Sequence, residues 1–471
     1  MSLEGKLVAV TGASGHVGAN LVRLLVERGF RVRALVHRHQ EALEGLEVER
    51  AAADLADPES LEKALSGVEV VFHLAAHISI LEADARQMEE INVRGTQRVV
   101  AACLKSGVRR LVLASSIEAL LAKDSPPEVS EEPLPDEAQL LSAYARTKNR
   151  ALREAMAARG RGLEVVAVFP TAVVGPWDGR PSLMGQAILD FAHRRLPCLV
   201  PGGFDFVDAR DVAEGLLLAA EKGRDGEGYI LSGEYLTLKE MAGVLGELTG
   251  AEAPRFTLPG WLAVAAAQLA VPYYLLFRKT PRFTPQSIRM LRHGGKGCRK
   301  KAEQELGYRP RPAAQAFAGA AEWFRERDYL KRVFFSHHDF MPVALVAVFL
   351  LACFSGGLLG LFGAASADRL WGAGALAVGL AYLLISWPVR YTLGRRELLV
   401  QAGLLRWRIP REEITGVERS QLKIGAPAWS WRRLKINYRS KGKPQSLLIA
   451  PEKPEEFLAL LAEKAGASKS P

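Results

Sequence analysis

The sequence predicts an α/β protein built on a doubly wound parallel sheet with a smaller, mostly helical substrate region. A transmembrane helical hairpin and a small β-rich unit are expected to follow. Three observations lead there. Short β-branched apolar runs alternate with amphipathic, helix-sized stretches up to about residue 235, two long uncharged runs follow at 340–367 and 370–389, and strands and turns take over after Tyr391. A parallel sheet covered on both faces needs strands that are nearly continuous apolar runs. At 471 residues the chain exceeds one hydrophobic core. With 49% hydrophobic and 24% charged residues it is not a largely disordered chain.

The strands are read at Leu7–Val10, Val32–Val36, Val70–Leu74, Leu111–Ala114 and Val165–Val168. Asp57-Pro58-Glu59 starts a helix, with Asp57 as N-cap and Pro58 at the first helical position. From about 235 to 335 helices dominate, as in Leu238–Thr249 and Ala313–Glu326. Trp261–Phe277 is uncharged but short for a span and is broken by Gln268 and Pro272, so it reads as a buried or interfacial helix. The uncharged runs predict transmembrane helices near 342–363 and 370–389, with Trp371, Trp387 and Tyr391 at the membrane interface. Basic residues on both flanks, Arg325, Arg327, Lys331 and Arg332 before and Arg390, Arg395 and Arg396 after, place both ends in the cytoplasm. Beyond them, strands are expected at Glu397–Gln401, Leu404–Ile409, Leu434–Tyr438 and Ser446–Ile449, and a helix at Glu455–Lys464.

The net charge of +10 permits nucleic acid, phosphorylated ligands or an anionic membrane as partners. Its location decides. Eleven Lys and Arg against two Glu fall within 278–311, just ahead of the uncharged runs, so lipid phosphates are expected and nucleic acid is not. Cys103, Cys198, Cys298 and Cys353 are scattered, without a pair or a His/Cys spacing suited to a metal. Neither a disulfide framework nor a metal site is expected. The N-terminus carries no signal-peptide pattern, and a reducing cytosol fits the catalytic part.

Chemistry concentrates early in the chain. The first strand runs directly into Thr11-Gly12-Ala13-Ser14-Gly15-His16-Val17-Gly18 and then a helix. A glycine turn between strand and helix lets the backbone approach a pyrophosphate that the helix N-terminus attracts, which predicts a Rossmann-type dinucleotide site using Gly12, Ser14, Gly15, His16, Val17 and Gly18. The second strand ends Val36-His37-Arg38 with no carboxylate before Glu41. A cation there suits a 2′-phosphate, so NADP(H) is favoured, with NAD(H) as the alternative. Asp54, followed by Leu55, is placed to meet the adenine edge, or else to cap a helix or loop.

Tyr144 and Lys148 stand four residues apart at the start of a helix and share one face. Bringing a phenol from pKa 10 to about 7 takes roughly 4 kcal/mol, which Lys148 and an oxidised nicotinamide would supply as neighbouring cations. Ser115 and Ser116 follow the strand at Leu111–Ala114, where a hydroxyl can polarise a substrate oxygen.

TGASGHVG, the LVLASSIEAL stretch, YARTK and FPTAVVGP resemble the extended short-chain dehydrogenase/reductase superfamily, also called the NAD-dependent epimerase/dehydratase superfamily. The resemblance covers about residues 4–332. The ASSIEA wording, FVDARDVA at 206–213 and the apolar helix near 262–277 are most similar to its 3β-hydroxysteroid dehydrogenase and dihydroflavonol reductase branch. It implies Ser116, with Ser115 as the alternative, as the polarising serine, Tyr144 as acid/base, and Lys148 as ribose ligand and modulator of Tyr144. It further implies Asn92 as a structural or relay residue, and Ala75, Pro170, Thr171 and Val173 along the cofactor. Leu120-Leu121 and Phe169 depart from the pattern of sugar-nucleotide epimerases. The last unit resembles bacterial PH-like domains that follow a pair of membrane helices. His73 and His77 lack a third ligand and read as structural.

The expected organisation is a catalytic region at 1–335, with an NAD(P)-binding core at about 1–170 and a substrate part at about 171–335, spans within 340–390, and a cytosolic PH-like domain at 391–466. The expected function is a membrane-anchored NAD(P)-dependent oxidoreductase acting on a hydroxyl or ketone of a sterol-, hopanoid- or polyprenyl-like substrate. It would sit in a bacterial-type cytoplasmic membrane, and the family's habit of pairing through two helices allows a homodimer. The alternatives are a nucleotide-sugar epimerase or dehydratase and a non-catalytic NAD(P)-binding redox sensor that signals through the PH-like unit.

Overall fold

The computed structural model describes residues 5–276 except 38–39, 197 and 255, residues 288, 291 and 295–330, and, further on, 332–336, 351, 354–355, 372–375, 377–378, 389–394, 397–402, 405–420, 433–440 and 443–462. The chain divides into two units, Met1–Phe324 and Arg325–Pro471.

The first unit runs β1 (Leu7–Thr11), α1 (His16–Glu27), β2 (Arg31–Val36), β3 (Glu49–Ala52), α2 (Pro58–Leu65), β4 (Val70–His73), α3 (Ala85–Met88), α4 (Gly95–Lys105), β5 (Arg110–Ala114), β6 (Glu128–Val129), α5 (Ala143–Met156), β7 (Glu164–Pro170) and β8 (Ala172–Val174). It continues with α6 (Leu183–Ala192), β9 (Gly203–Asp208), α7 (Ala209–Lys222), β10 (Gly228–Leu231), β11 (Glu234–Thr237), α8 (Leu238–Thr249), α9 (Gly260–Leu276), β12 (Lys296–Gly297) and α10 (Ala313–Glu326). Seven strands form a parallel sheet in the order β10-β7-β5-β4-β1-β2-β3. The five apolar runs of the sequence are its five central strands. The two edge strands carry no such run, because β3 (Glu-Arg-Ala-Ala) is exposed or half-buried and β10 is four residues long.

Alternation along the strands feeds two cores. Val8 and Val10 join Leu21, Val22 and Leu25 of α1 and Val212 and Leu216 of α7 on one face. Ala9 and Val71 join Leu61 of α2, Val99 and Cys103 of α4 and Leu152 of α5 on the other. Strand order reverses between β1 and β4, so a crevice opens at their carboxyl ends, where ligands bind in such sheets. Asp57 caps α2 as its sequence predicts, accepting from Glu59 N at 3.1 Å.

The smaller part of this unit carries the β11-β9-β8 sheet and α8. Buried Asp205 on β9 knots it together, accepting from Thr171 Oγ1, Gly233 N and Gly297 N. Helix α9 buries Ala263 and Ala267 and exposes Trp261 and Leu262. Much of 278–294 lies outside the described residues. In the rest of the basic stretch, Arg299 pairs with Glu303, Lys301 with Glu227, and Arg311 with Asp208 and Asp211. Those three cations are satisfied within the protein, which reduces the charge expected to meet lipid.

The second unit contains a four-stranded antiparallel sheet of β13 (Arg332–Phe335), β14 (Val389–Leu393), β15 (Glu397–Ala402) and β16 (Leu405–Pro410). A three-stranded sheet follows, with β17 (Ile414–Ser420), β18 (Arg433–Ser440) and β19 (Lys443–Ile449), then α11 (Pro454–Ala462). The sequence boundary at 335 differs from this arrangement: β13 pairs with β14, and Phe334 packs edge-on against Phe457 of α11. The spans expected at 342–363 and 370–389 lie, apart from a few positions, outside the described residues. Among the described residues no helix is long and apolar enough to cross a membrane.

Candidate active site

The glycine turn after β1 is shaped by contacts that exclude side chains. Gly12 has φ +66°, and a Cβ on Gly18 would lie 2.1 Å from Gly12 O and 2.9 Å from Ala13 Cα. Helix α1 can therefore approach β1 only with glycine at 18. Gly15 is the N-cap, and no side chain bonds the first N–H groups of α1. A free helix N-terminus behind a cradle that a Cβ would fill fits a dinucleotide pyrophosphate, with Gly12 to Gly18 and half-buried Ser14 as its walls. His16 turns elsewhere, its Nε2 lying 3.2 Å from Gly175 O, and Val17 packs on the core. Asn20 Nδ2 donates to Pro176 O, so α1 also anchors the loop after β8.

Beside this turn, buried His73 lies between Thr11 Oγ1 (2.7 Å from Nδ1) and Thr96 Oγ1 (3.1 Å from Nε2). Thr96 donates to Asn92 O, so it accepts from Nε2–H and leaves Nδ1 to accept from Thr11. Thr11 Oγ1 also accepts from Leu74 N and Ala75 N, which brings Ala75 against Gly12. Burial, then the Lys148 charge, lowers the His73 pKa from 6.5 to about 3. Between those values the unfolded chain holds a proton that the folded protein refuses, so His73 removes stability as pH falls through that window. His73→Phe is expected to cost stability near neutral pH and progressively less in acid, the gap closing by about 1.4 kcal/mol per pH unit. Denaturant melts of both proteins across the window read this slope.

At the adenine end His37 Nε2 stands 3.2 Å from Asp54 Oδ2, both half exposed, and Asp54 Oδ1 accepts from Ala56 N. Leu55 packs against Gly95 of α4. Arg38 lies outside the described residues. Pro170 ends β7, the Thr171 hydroxyl is taken by Asp205, and Val173 packs on the core. These three stand at the junction with the smaller part of the unit, and their side chains are not gathered with the Ser-Tyr-Lys set.

That set does assemble. Ser142 caps α5, accepting from Ala145 N at 2.8 Å, and so fixes Tyr144 in the first turn. Tyr144 is buried, and its hydroxyl bonds Ser116, whose Oγ also accepts from Glu118 N. Ser115 is buried with its hydroxyl unpaired among the described residues, so Ser116 is the serine that meets Tyr144. Lys148 Nζ donates to Ala114 O at 2.6 Å, and burial lowers its pKa to about 8.

Lys148 does not lower the Tyr144 pKa as its spacing suggests. Burial first, then the charge of Glu118, raises the phenol above its ordinary value, and the Ser116 hydrogen bond only opposes this. The protein by itself thus holds Tyr144 protonated, the form that donates a proton. Asn92, in the π-helical stretch Glu89–Arg94, accepts from His77 N and donates to His77 O and Thr147 Oγ1. It straps the segment after β4 to α5, the structural one of its two expected roles.

A cleft of about 370 Å³ opens over Tyr144, lined by Ile78 to Glu82, Glu118, Ser142, Ala143 and Leu183. Glu82 latches the 78–82 segment to α5, accepting from Ala143 N and pairing with Arg146 at 3.0 Å. Glu118 accepts from Ser142 Oγ at 3.2 Å, and burial raises its pKa to about 7. The sequence reading passed over both carboxylates. Only the position of Glu118, two residues after Ser116, could have flagged it. Among the described residues no cluster of His, Cys, Asp or Glu could hold a metal ion.

A wound parallel sheet, a glycine turn at its switch point and a Ser-Tyr-Lys set define the class of NAD(P)-dependent oxidoreductases. The chain belongs to the NAD dependent epimerase/dehydratase family, which matches residues 8–232, and residues 389–465 match the bacterial PH domain. It is 45% identical over 328 residues to "Sterol demethylase protein B" of Methylococcus capsulatus, covering 68% of this chain and 98% of that protein. It is 35% identical over 328 residues to a "Putative dihydroflavonol 4-reductase" of Synechocystis sp., covering 68% and 95%. The crystal structure of gox2253 is similar at 36% identity and a TM-score of 0.62, covering 69% of this chain and all of that one.

Proposed function

We propose that this enzyme interconverts a hydroxyl and a ketone on an apolar sterol-, hopanoid- or polyprenyl-like substrate. The observation that carries this reading is the wall of the cleft over Tyr144, where Ile78, Ile80, Leu81 and Leu183 surround the reacting hydroxyls. Such a wall suits a hydrocarbon skeleton and offers no cation to a sugar diphosphate. The similarity to a protein named for sterol demethylation supports the same substrate class.

The bound dinucleotide supplies or accepts hydride. The Ser116 hydroxyl holds the carbonyl oxygen, and Tyr144 donates its proton to that oxygen during reduction or removes it during oxidation. Lys148, one turn along α5, holds a cation beside the site and is the ribose ligand. Ser116, Tyr144 and Lys148 are the catalytic residues, and Gly12, Ser14, Gly15 and Gly18 hold the pyrophosphate. NADP(H) is favoured because β2 ends in His37-Arg38 without a carboxylate.

The enzyme is anchored by spans near 342–363 and 370–389, with catalytic and PH-like domains on the cytosolic side of a bacterial-type membrane, a reading supported by the uncharged runs and their basic flanks. The PH-like domain serves as an interaction unit. The test uses detergent-purified protein, titrated with NADPH and NADH and then offered lipid ketones, lipid alcohols and sugar nucleotides. Tighter NADPH binding and turnover confined to the lipids are expected. Conversion of a sugar nucleotide, scored by product because epimerisation is redox-neutral, would overturn the substrate assignment.

A further inference from the structure

Hydride transfer leaves one titratable group in the cleft without a task. Glu118 stands on the short helical turn Ile117–Leu120 after Ser116, and it lines the same cleft as Tyr144. Its Oε2 accepts from Ser142, and its charge is felt at the Tyr144 phenol. Three polar groups face it: Ser142 and Tyr144 from the start of α5, and Glu82 from the 78–82 segment. Glu82 is occupied by Arg146 and Ala143 N, whereas no cation pairs with Glu118 among the described residues. The remaining wall is apolar. A carboxyl with a pKa of about 7 in such a place holds and releases a proton with equal ease at neutral pH.

We propose that Glu118 is a second acid–base group of this site, moving a proton to and from the carbon next to the carbonyl held by Ser116 and Tyr144. The inference rests on the proposed function, since it needs a ketone at that position. In one direction the α C–H bond breaks, its electron pair forms the double bond of an enolate, and the proton passes to the Glu118 carboxylate. The enolate oxygen is stabilised by hydrogen bonds from the Ser116 and Tyr144 hydroxyls. The reverse step returns the proton, and nothing is oxidised or reduced. The same enolate forms when a carboxylate on the adjoining carbon leaves as carbon dioxide, and the Glu118 carboxyl then supplies the proton that completes the ketone. Substrates with a carbon acid beside the reacting oxygen, β-keto acids included, are the chemical class this cleft would take.

The experiment incubates full-length, cofactor-loaded enzyme with cholestanone in detergent micelles made in D2O. Deuterium entry at the α carbons is read by mass spectrometry, and hydride transfer to the same ketone is read separately by nicotinamide absorbance. The wild type is expected to exchange α-hydrogens, with a rate that rises with pH and levels off above about 7. Glu118→Gln is expected to lower exchange about 100-fold or more and to flatten that pH profile, and Glu118→Asp to restore part of both. Exchange at the wild-type rate in Glu118→Gln, or a wild type that reduces cholestanone without exchanging its α-hydrogens, overturns the inference. Absence of hydride transfer, by contrast, counts against the proposed function.

Discussion

Tyr144→Phe is expected to lower kcat for hydride transfer by about 1,000-fold while leaving cofactor affinity and thermal stability close to those of the wild type. The ring is buried at the first turn of α5, packed with Met88 and Ala143, and phenylalanine keeps that packing. Only the hydroxyl is lost, and with it the bond to Ser116 and the proton that balances hydride transfer. Because burial and Glu118 hold the phenol protonated, reduction starts with the proton already in place. Stopped-flow nicotinamide absorbance gives the rate, and a thermal melt gives the stability. A redox sensor without catalysis would show no such loss, because it has no turnover to lose.

Gly18→Ala is expected to cost about 3 kcal/mol of stability and to abolish measurable cofactor binding. The added methyl would meet Gly12 O, Gly12 C and Ala13 Cα, all of them backbone, so the strain is relieved only by moving α1 away from β1. That movement opens the turn that cradles the pyrophosphate and withdraws the helix N-terminus from it. Gly243→Ala is the matched control. It lies within α8 with no atom near the added methyl, and is expected to raise stability by about 0.5–1 kcal/mol with cofactor binding unchanged. Denaturant unfolding and fluorescence titration of the two variants separate a site-specific effect from a general one.

Much of this site was legible in the sequence because its signals are local. The glycine spacing fixes how closely strand and helix approach. The four-residue step from Tyr144 to Lys148 sets one helix face, and Ser116 follows a strand end. The central strands were readable for the same reason, being apolar on both faces. What escaped depends on partners distant in the chain. Glu118 gains its meaning from Ser142 and Tyr144, which a helix start brings to it. Lys148 bonds Ala114 O, a choice set by the packing of α5 on β5 rather than by spacing. His16 and Thr171 look like cofactor contacts in the motif, yet Gly175 and Asp205 claim them. Strand β13 has no apolar alternation of its own to announce it and is specified by its pairing with β14.

The two expected carboxylate-free features of the cleft, apolar walls and a cation at the 2′-phosphate, fared differently. The walls are present, but the cleft floor carries Glu118, which makes the pocket more than a hydrophobic slot. At the adenine end His37 is committed to Asp54, so cofactor choice there depends on a pair rather than on a free cation.

The most direct test of the central claim is isotopic. Detergent-purified enzyme is given NADPH deuterated at the transferable nicotinamide position together with a sterol ketone, and the alcohol formed is weighed by mass spectrometry. Hydride transfer beside Ser116 and Tyr144 predicts an alcohol carrying one deuterium on the carbinol carbon, formed by the wild type and not by Tyr144→Phe. Label that never reaches any lipid ketone, while a sugar nucleotide is converted, would contradict the account.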